Sequence, residues 1–227
     1  MATVLVTGGG SGIGAEVCRT LAAAGWRAVP ADIHPPEGGH QLDTTDEAGW
    51  DRVLDAVWPL DGLVNCAGIR DRAPIQEMEL TRFQRMLDVH VTGCFLGIRG
   101  VARRWTAEDR AGAVVNIASV TATHAVAGQI HYVTAKGAIA ALTRAAATEL
   151  AGSGTRVNAV APGIIRTPMT ADRLGDPAQT AWLMSRVPAG RVGEAREIAS
   201  VVQFLLSDAA SYVNGVLLPV DGGWAAS

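Results

Sequence analysis

Short apolar runs alternate with segments of helical periodicity along the whole chain. The runs contain few polar positions, which is typical of strands that are covered on both faces in a parallel sheet. The alternation predicts a single-domain α/β fold: a doubly wound, Rossmann-like parallel sheet of about seven strands with helices on both faces. The predicted strands cover residues 3–8, 27–32, 62–68, 113–119, 156–163 and 216–223, and the predicted helices cover 12–25, 45–57, 76–107 (two helices), 131–151 and 195–207.

Two segments interrupt this alternation. Residues 33–42, "IHPPEGGHQL", contain two prolines and two glycines and therefore cannot hold a helix. The second crossover is expected to be shortened to a loop, followed by a short edge strand near 40–43. Residues 168–193 are irregular, with a helical piece near 177–186. Since long insertions after a strand often carry function, we expect one domain over residues 1–227 with a substrate lid at 168–193.

Composition and charge exclude several classes of protein. A net charge of −3 gives no footprint for nucleic acid, and no apolar run is long enough for a membrane span. The start of the chain lacks the features of a signal peptide. Cys18, Cys66 and Cys94 lie far apart, so they predict neither a disulfide framework nor a zinc site; a reactive Cys66 thiol is a lesser alternative. Five scattered histidines predict no metal site. The sequence therefore predicts a cytoplasmic protein.

A glycine-rich turn follows the first predicted strand directly and opens the first predicted helix. Its pattern is Thr7-Gly8-x-x-x-Gly12-x-Gly14. Such glycines allow a sharp turn and a close approach of the backbone to a ligand, and the helix N-terminus attracts a pyrophosphate. Asp32 ends the next strand, where a carboxylate accepts hydrogen bonds from ribose hydroxyls and repels a 2′-phosphate. The pattern predicts a dinucleotide site that prefers NAD to NADP.

The chain has a single lysine, Lys136, among its 19 Lys and Arg residues. It follows Tyr132 by four positions, so the two side chains meet on one helix face. A free phenol is a poor base at neutral pH, and a nearby ammonium favours its phenolate. Ser119 ends the strand before this helix, at the sheet edge where ligands bind in open α/β folds. These three residues predict acid–base chemistry on an alcohol or carbonyl oxygen.

With these motifs in order, the chain resembles the short-chain dehydrogenases/reductases over residues 3–223. The resemblance is carried by the glycine turn, "NCAG" (65–68), Ser119 with Tyr132-x-x-x-Lys136, "PG" (162–163) with Thr167, and "DGG" (221–223). It implies that Tyr132 is the acid–base, that Ser119 orients the substrate oxygen, and that Lys136 binds the nicotinamide ribose. The glycine turn and the resemblance together assign NAD contacts to Gly8, Ser11, Gly12, Ile13, Gly14, Asp32, Ile33, Asp43, Asn65, Ala67, Gly68, Tyr132, Lys136, Pro162, Gly163, Ile165 and Thr167.

One position departs from the family pattern. Where the family has an asparagine on the helix before the serine strand, this chain has His90. The resemblance implies that this asparagine holds a water in a proton relay from the lysine. Histidine also donates and accepts, and it ordinarily titrates near pH 6.5. Three interpretations stay open: a relay substitute, a structural histidine, or an impaired site. We expect a pH dependence of activity that His90→Asn alters.

The predicted function is hydride transfer between NAD(H) and a secondary alcohol or ketone. Apolar residues on the lid, including Met169 and Trp182, favour a cyclic or lipophilic substrate. No arginine is clearly placed to hold a carboxylate, although Arg70, Arg72 and Arg173 stay open. The resemblance implies a homotetramer or homodimer assembled through the segments 91–105 and 133–152. The alternatives are an NADPH-dependent 3-oxoacyl or ketone reductase and a cofactor-binding regulatory protein with lapsed catalysis.

Overall fold

All seven predicted strands form one parallel sheet in the computed structural model, which describes residues 1–226; Ser227 of the predicted domain lies outside the described residues. The sheet order is β3-β2-β1-β4-β5-β6-β9, and β7 and β8 form a separate two-stranded sheet. The strands are β1 (Thr3–Thr7), β2 (Arg27–Asp32), β3 (His40–Gln41), β4 (Gly62–Asn65), β5 (Ala113–Ile117), β6 (Arg156–Pro162), β7 (Ile165–Arg166), β8 (Gly193–Glu194) and β9 (Leu217–Val220).

Helices cover both faces of this sheet. They are α1 (Gly12–Ala23), α2 (Glu47–Val57), α3 (Leu80–Leu87), α4 (Gly93–Ala107), α5 (Ile130–Leu150), α6 (Ala171–Gly175), α7 (Pro177–Met184) and α8 (Ala195–Leu206). On one face, Trp50 of α2 and Trp105 of α4 pack with α5 against the sheet. On the other face, Leu21 of α1 and Leu205 of α8 pack against the central strands. The predicted single-domain, doubly wound fold is confirmed.

The shortened second crossover is also confirmed. The chain runs from β2 to β3 without a helix, and the two strands pair in parallel from Ala31 to Asp32. The turn at Gly38 has a φ of 75°, which a residue with a side chain rarely adopts. As a result β3 lies beside the end of β2, and Leu42 donates its N–H to the Asp32 carbonyl at 2.9 Å.

Three local features differ from the sequence prediction. The segment 76–107 contains α3 and α4, but the five residues between them, Asp88–Thr92, form a π-helical turn. The predicted strand 62–68 ends at Asn65, so the last three residues belong to a loop. The segment 168–193 contains two helices, α6 and α7, where one was expected, and β7 pairs with β8 at its base.

None of the helices formed by residues 1–226 has the length and apolar character that a membrane span requires.

Candidate active site

A cleft with a volume of about 450 Å³ lies where the central strands end. The carboxyl ends of parallel strands meet at one edge of the sheet, so loops from distant parts of the chain converge there. The cleft gathers every predicted site residue except Asn65. Its lining includes Gly8, Ser11, Gly12, Ile13, Gly14, Asp32, Ile33, Asp43, Ala67, Gly68, His90, Ser119, Tyr132, Lys136, Pro162, Gly163, Ile165 and Thr167.

Asn65 is buried and is not part of the cleft lining, and its cofactor contact stays a prediction. Its side-chain amide donates to the Asn116 side-chain oxygen at 2.9 Å. Asn116 in turn donates to the Thr143 hydroxyl of α5 at 2.9 Å. All three residues are buried, and these hydrogen bonds pair side-chain polar groups whose unpaired burial would destabilise the fold. The Asn65 Oδ1 has no partner among the described residues. Asn65 therefore connects β4 to β5 and α5 through its side chain.

The glycine turn forms a backbone cradle at the start of α1. Gly8 has a φ of 67° and Gly12 a φ of 53°, which favour glycine. A Cβ at Gly14 would lie 2.2 Å from the Gly8 carbonyl oxygen, so only glycine lets the helix begin here. Across the cleft, a Cβ on Gly12 would approach the Thr167 Cβ to 3.5 Å. The cradle leaves backbone amides and a helix N-terminus accessible to a phosphate group, and it therefore fits the predicted dinucleotide.

The Asp32 carboxylate is oriented by two backbone amides. One oxygen accepts from the Gly10 N–H of the glycine turn and the other from the His34 N–H, both at 3.0 Å. Asp32 makes no ion pair with any residue in the range 1–226. A carboxylate fixed beside the turn in this way fits a ribose diol next to a pyrophosphate.

Ser119, Tyr132 and Lys136 come together at the other end of the cleft. Lys136 is buried at 4% exposure, and its ammonium donates to the Ile117 carbonyl at 2.7 Å. This ammonium lies 5.5 Å from the centre of the Tyr132 ring. The Ser119 hydroxyl oxygen accepts from the Thr121 N–H at 3.1 Å, which leaves its proton available to a ligand. The Tyr132 hydroxyl makes no hydrogen bond within the described chain, so it too is available.

His90 lies in the π-helical turn, buried against the same group. Its ring meets the Tyr132 ring edge-on at 5.5 Å, and its Nε2 lies 2.8 Å from the Ile69 carbonyl oxygen. Burial, and secondarily the Lys136 charge, lower the pKa of His90 from 6.5 to about 3. A ring with this lowered pKa stays neutral at neutral pH, and the expected effect of His90→Asn on the pH dependence of activity stays a prediction. With Nε2–H donated to Ile69, the buried Nδ1 is an acceptor that has no partner among the described residues.

Several cleft residues were missed by sequence reasoning. Arg85 of α3 contributes the only guanidinium to the cleft lining within residues 1–226, and no motif marked it. Thr170 supports Thr167: its hydroxyl donates to the Ile165 carbonyl at 2.6 Å and accepts from the Thr167 N–H at 3.1 Å. The spacing Thr167-x-x-Thr170 is close to a capping box and could have indicated this support.

The three cysteines are unpaired. Burial raises the pKa of the Cys66 and Cys94 thiols to about 12 and that of Cys18 to about 11. Because the thiolate is the nucleophilic form, these raised pKa values disfavour reaction of the thiols at neutral pH. The lesser alternative of a reactive Cys66 has no support in its surroundings.

The fold and the cleft define an oxidoreductase that binds a nicotinamide dinucleotide at the edge of a doubly wound sheet. Comparison with known proteins agrees with this class. A family model described as enoyl-(acyl carrier protein) reductase matches residues 8–225. The chain belongs to the short-chain dehydrogenase/reductase family, as its motif order predicted.

Its relatives oxidise hydroxyl groups. The chain is 38% identical to cis-4-hydroxycyclohexanecarboxylate dehydrogenase of Sinomonas cyclohexanicum, over 98% of this chain and 96% of the relative. It is 35% identical to cyclopentanol dehydrogenase of Comamonas sp. (strain NCIMB 9872), over 99% of this chain and 97% of the relative. A solved structure from Agrobacterium tumefaciens, described as a 2-deoxy-d-gluconate 3-dehydrogenase with bound NADP, superposes with a TM-score of 0.94 at 37% identity, covering 100% of this chain and 97% of that one. The chain is thus an oxidoreductase of this family.

Proposed function

We propose that this enzyme oxidises a cyclic or lipophilic secondary alcohol to its ketone with NAD, and catalyses the reverse reaction with NADH. The observation that carries the cofactor preference is the Asp32 carboxylate, held beside the glycine turn by the Gly10 and His34 amides at 3.0 Å. A ribose with free 2′ and 3′ hydroxyls donates to such a carboxylate, whereas a 2′-phosphate brings a second negative charge against it.

The chain's own residues manage the proton. During oxidation, Ser119 donates a hydrogen bond to the substrate oxygen, and the Tyr132 phenolate takes the hydroxyl proton as the carbon–hydrogen bond breaks. The buried Lys136 ammonium stabilises that phenolate through its charge, since no carboxylate in the described chain neutralises it. A bound nicotinamide supplies the hydride acceptor. The backbone of the turn at Ser11–Ile13 and the side chain of Thr167 hold the dinucleotide's phosphates and nicotinamide end.

His90 acts here as a neutral hydrogen-bonding group. Because its pKa is about 3, it carries no charge at working pH. Its Nδ1 is a buried acceptor without a described partner, close to Lys136, and we assign it the position of the family's relay asparagine. In this role it accepts a hydrogen bond from a relay water without gaining a proton.

The substrate side of the cleft is apolar. Val120, next to Ser119, packs with Leu183, Val187 and Trp224 under the segment 168–193, which we interpret as the substrate lid. An apolar wall of this kind favours a ring or an aliphatic chain over a small polar alcohol. The relatives named for cyclohexane and cyclopentane alcohols support the same substrate class.

An NADPH-dependent reductase is the second candidate. The solved relative at 37% identity has bound NADP. In this chain the guanidinium that could neutralise a 2′-phosphate is Arg85, which lines the cleft. An Arg85→Gln variant tests this candidate: it weakens NADPH binding specifically if Arg85 contacts the phosphate, and it affects NADH and NADPH equally otherwise.

Fluorescence titration with NADH and NADPH tests the cofactor preference. The wild type is expected to bind NADH at least about tenfold more tightly, because a hydrogen bond to a charged group contributes about 1.5–3 kcal/mol. Asp32→Asn should bring the two dissociation constants together. Asp43→Asn is the matched control. The Asp43 carboxylate also lines the cleft, but it accepts hydrogen bonds from the Thr45 backbone N–H and hydroxyl, so this substitution should leave the ratio of the two dissociation constants unchanged. A wild type that binds NADPH as tightly as NADH refutes the proposal.

Turnover tests the chemistry. NAD reduction with cyclopentanol and cyclohexanol should be observed for the wild type and lost by at least about a hundredfold in Tyr132→Phe, with NADH binding retained. Tyr212→Phe is the matched control, because the chain's other tyrosine is fully exposed. Equal loss in both variants, or full activity of Tyr132→Phe, would show that the phenol at position 132 is not the acid–base.

We further propose a homodimer or homotetramer in the cytoplasm. The exposed positions of α5 include small residues such as Ala141 and Ala145, and Phe95 of α4 is 44% exposed. Apolar surface of this kind on neighbouring helices favours burial against a second copy. Light scattering coupled to gel filtration measures the mass, and a monomer at micromolar concentration contradicts this assembly.

A further inference from the structure

The first turn of α5 carries Tyr132 but lacks a cap of its own. The helix begins at Ile130, so Tyr132 is its third residue. The side chain of Gln129, the residue before the helix, makes no capping hydrogen bond within the described chain, and the first turn contains no acidic residue. Such caps and acidic residues ordinarily stabilise the start of a helix. The position of Tyr132 therefore depends on contacts with other elements.

The loop after β4 makes two contacts with the segment just before α5. The Ala73 N–H donates to the Gly128 carbonyl at 3.0 Å. The Arg72 guanidinium donates to the Ala127 carbonyl at 3.4 Å. These two hydrogen bonds hold the approach to the helix against the loop, and a third contact from the same loop reaches into the helix itself.

This third contact joins Asp71 to His131, the residue directly before Tyr132. His131 is 0% exposed, and neither of its ring nitrogens has a hydrogen-bond partner among the described residues. Its Nε2 lies 3.8 Å from the Asp71 Oδ2, within ion-pair distance. A buried polar ring that lacks partners is costly, so the nearby carboxylate favours a ring with a proton on Nε2. The carboxylate therefore attracts the side chain that precedes Tyr132.

Asp71 is itself fixed by α3. Arg82 donates from Nε to Oδ2 at 2.7 Å and from Nη2 to Oδ1 at 2.6 Å. A guanidinium that binds both carboxylate oxygens fixes their direction as well as their distance. The same Nη2 donates to the Arg72 carbonyl at 3.1 Å, and the Asp71 Oδ1 accepts from the Arg72 N–H at 2.7 Å. Arg82 thus connects α3 to the loop that contacts the start of α5.

Resting on the proposed function, we propose that Asp71, Arg82 and His131 are positioning residues that hold Tyr132 in place for proton transfer. None of the three lines the cleft, so they act through the first turn of α5. A displacement of about 1 Å in a reacting group can lower a rate by about a hundredfold. Loss of these contacts should therefore lower kcat. Dinucleotide binding should be retained, because the glycine turn and Asp32 belong to other elements.

Arg82→Gln and Asp71→Asn test this role at partly exposed side chains, where the risk to folding is low. Each variant is expected to lower kcat for cyclopentanol oxidation by about tenfold. The dissociation constant of NADH should stay within about twofold of the wild type, because the substituted residues do not line the cleft. Since the two residues act as one unit, the double variant should lose no more than the larger single loss.

His131→Leu and His131→Gln separate the polar contact from packing. Leucine fills the buried site but cannot donate to Asp71, whereas glutamine keeps a donor that can reach the carboxylate. We expect the loss of kcat in His131→Leu and at least partial recovery in His131→Gln. If both variants fail to fold, the result from Arg82→Gln and Asp71→Asn decides the proposal by itself.

Fluorine NMR reports on the position of Tyr132 without turnover. The chain has two tyrosines, and Tyr212 is fully exposed, so protein labelled with 3-fluorotyrosine carries one probe at the site and one reference. The Tyr132 resonance, assigned with Tyr132→Phe, should shift or broaden in Arg82→Gln and Asp71→Asn. The Tyr212 resonance should stay unchanged in both.

Arg104→Gln is the matched control. Arg104 pairs with Asp55 at 2.6 Å and joins α4 to α2, so this ion pair involves neither α5 nor the loop after β4. The control should keep the wild-type kcat and both resonances. The proposal is overturned if Arg82→Gln and Asp71→Asn keep kcat, or if the control loses as much as they do. An equal loss of NADH binding and kcat also overturns it, because the damage would then extend to the whole cleft.

The outcome is separable from that of the proposed function. A wild type that oxidises cyclopentanol, with variants that keep its kcat and its Tyr132 resonance, retains the proposed function without the positioning role. If the wild type oxidises no alcohol, the proposed function fails and the fluorine spectra decide the contact: a Tyr132 resonance that moves in Arg82→Gln and Asp71→Asn supports it, and an unchanged resonance overturns it.

Discussion

The folded protein should lose stability through His90 as the pH falls. His90 is 1% exposed, and burial with the Lys136 charge lowers its pKa from 6.5 to about 3. In the unfolded chain the imidazole binds a proton near its ordinary pKa. Between these two values the unfolded state therefore binds the proton that the folded state excludes. The stabilisation is complete above pH 6.5 and is lost as the pH falls from 6.5 towards 3.

The size of this effect follows from the two pKa values. One pKa unit corresponds to about 1.36 kcal/mol, so moving from pH 7 to pH 5 should cost about 2 kcal/mol through His90 alone. That is a large part of the 5–15 kcal/mol by which typical domains are stable. His90→Asn removes the titrating group and should therefore flatten the pH dependence, whatever it does to the stability at pH 7.

Urea unfolding at pH 7 and pH 5 measures this difference. The wild type should lose about 2 kcal/mol more than His90→Asn between the two pH values. His34→Asn, at an exposed histidine, is the control and should behave as the wild type. Equal losses in wild type and His90→Asn would refute the buried, neutral state of the ring. For the same reason, if His90 serves the relay, His90→Asn should have a lower kcat than the wild type at every pH from 6 to 9. The inflection of its pH–rate profile should stay where it is in the wild type.

Three further perturbations test the packing around the cleft. Gly68→Ala places a Cβ 2.4 Å from the His90 ring, so we expect a loss of about 1–3 kcal/mol in urea unfolding and reduced kcat; unchanged values contradict the contact. Asn116→Ala removes a buried link between Asn65 and Thr143 and should cost about 2–4 kcal/mol, whereas a loss below about 0.5 would show that the link is dispensable. Cys66, with a pKa of about 12, should resist iodoacetamide in the native protein at pH 8, as followed by mass spectrometry; rapid native-state alkylation would contradict the raised pKa.

The sheet was predictable because its strands are covered on both faces. Runs such as 3–7 and 113–117 are fully buried, so apolar residues predominate and the strand is visible without alternation. The loop after β2 was predictable from its prolines. The π-helical turn at Asp88–Thr92 was not, because its sequence is compatible with an ordinary helix. The backbone hydrogen bonds of the helix change to the π-helical pattern at this turn, where the His90 side chain contacts the Ile69 carbonyl. That contact depends on the tertiary structure.

The candidate site was predictable where a motif fixes the backbone. The glycines and Asp32 follow from the strand–turn–helix unit, since each occupies a defined point of that unit. Asn65 shows the limit of this reasoning. It pairs in register with Asn116 on β5, and the register turns its amide towards that residue and away from the cleft. The hydrogen-bond partner of a side chain at a strand end depends on the residue in register on the neighbouring strand, which a motif does not encode.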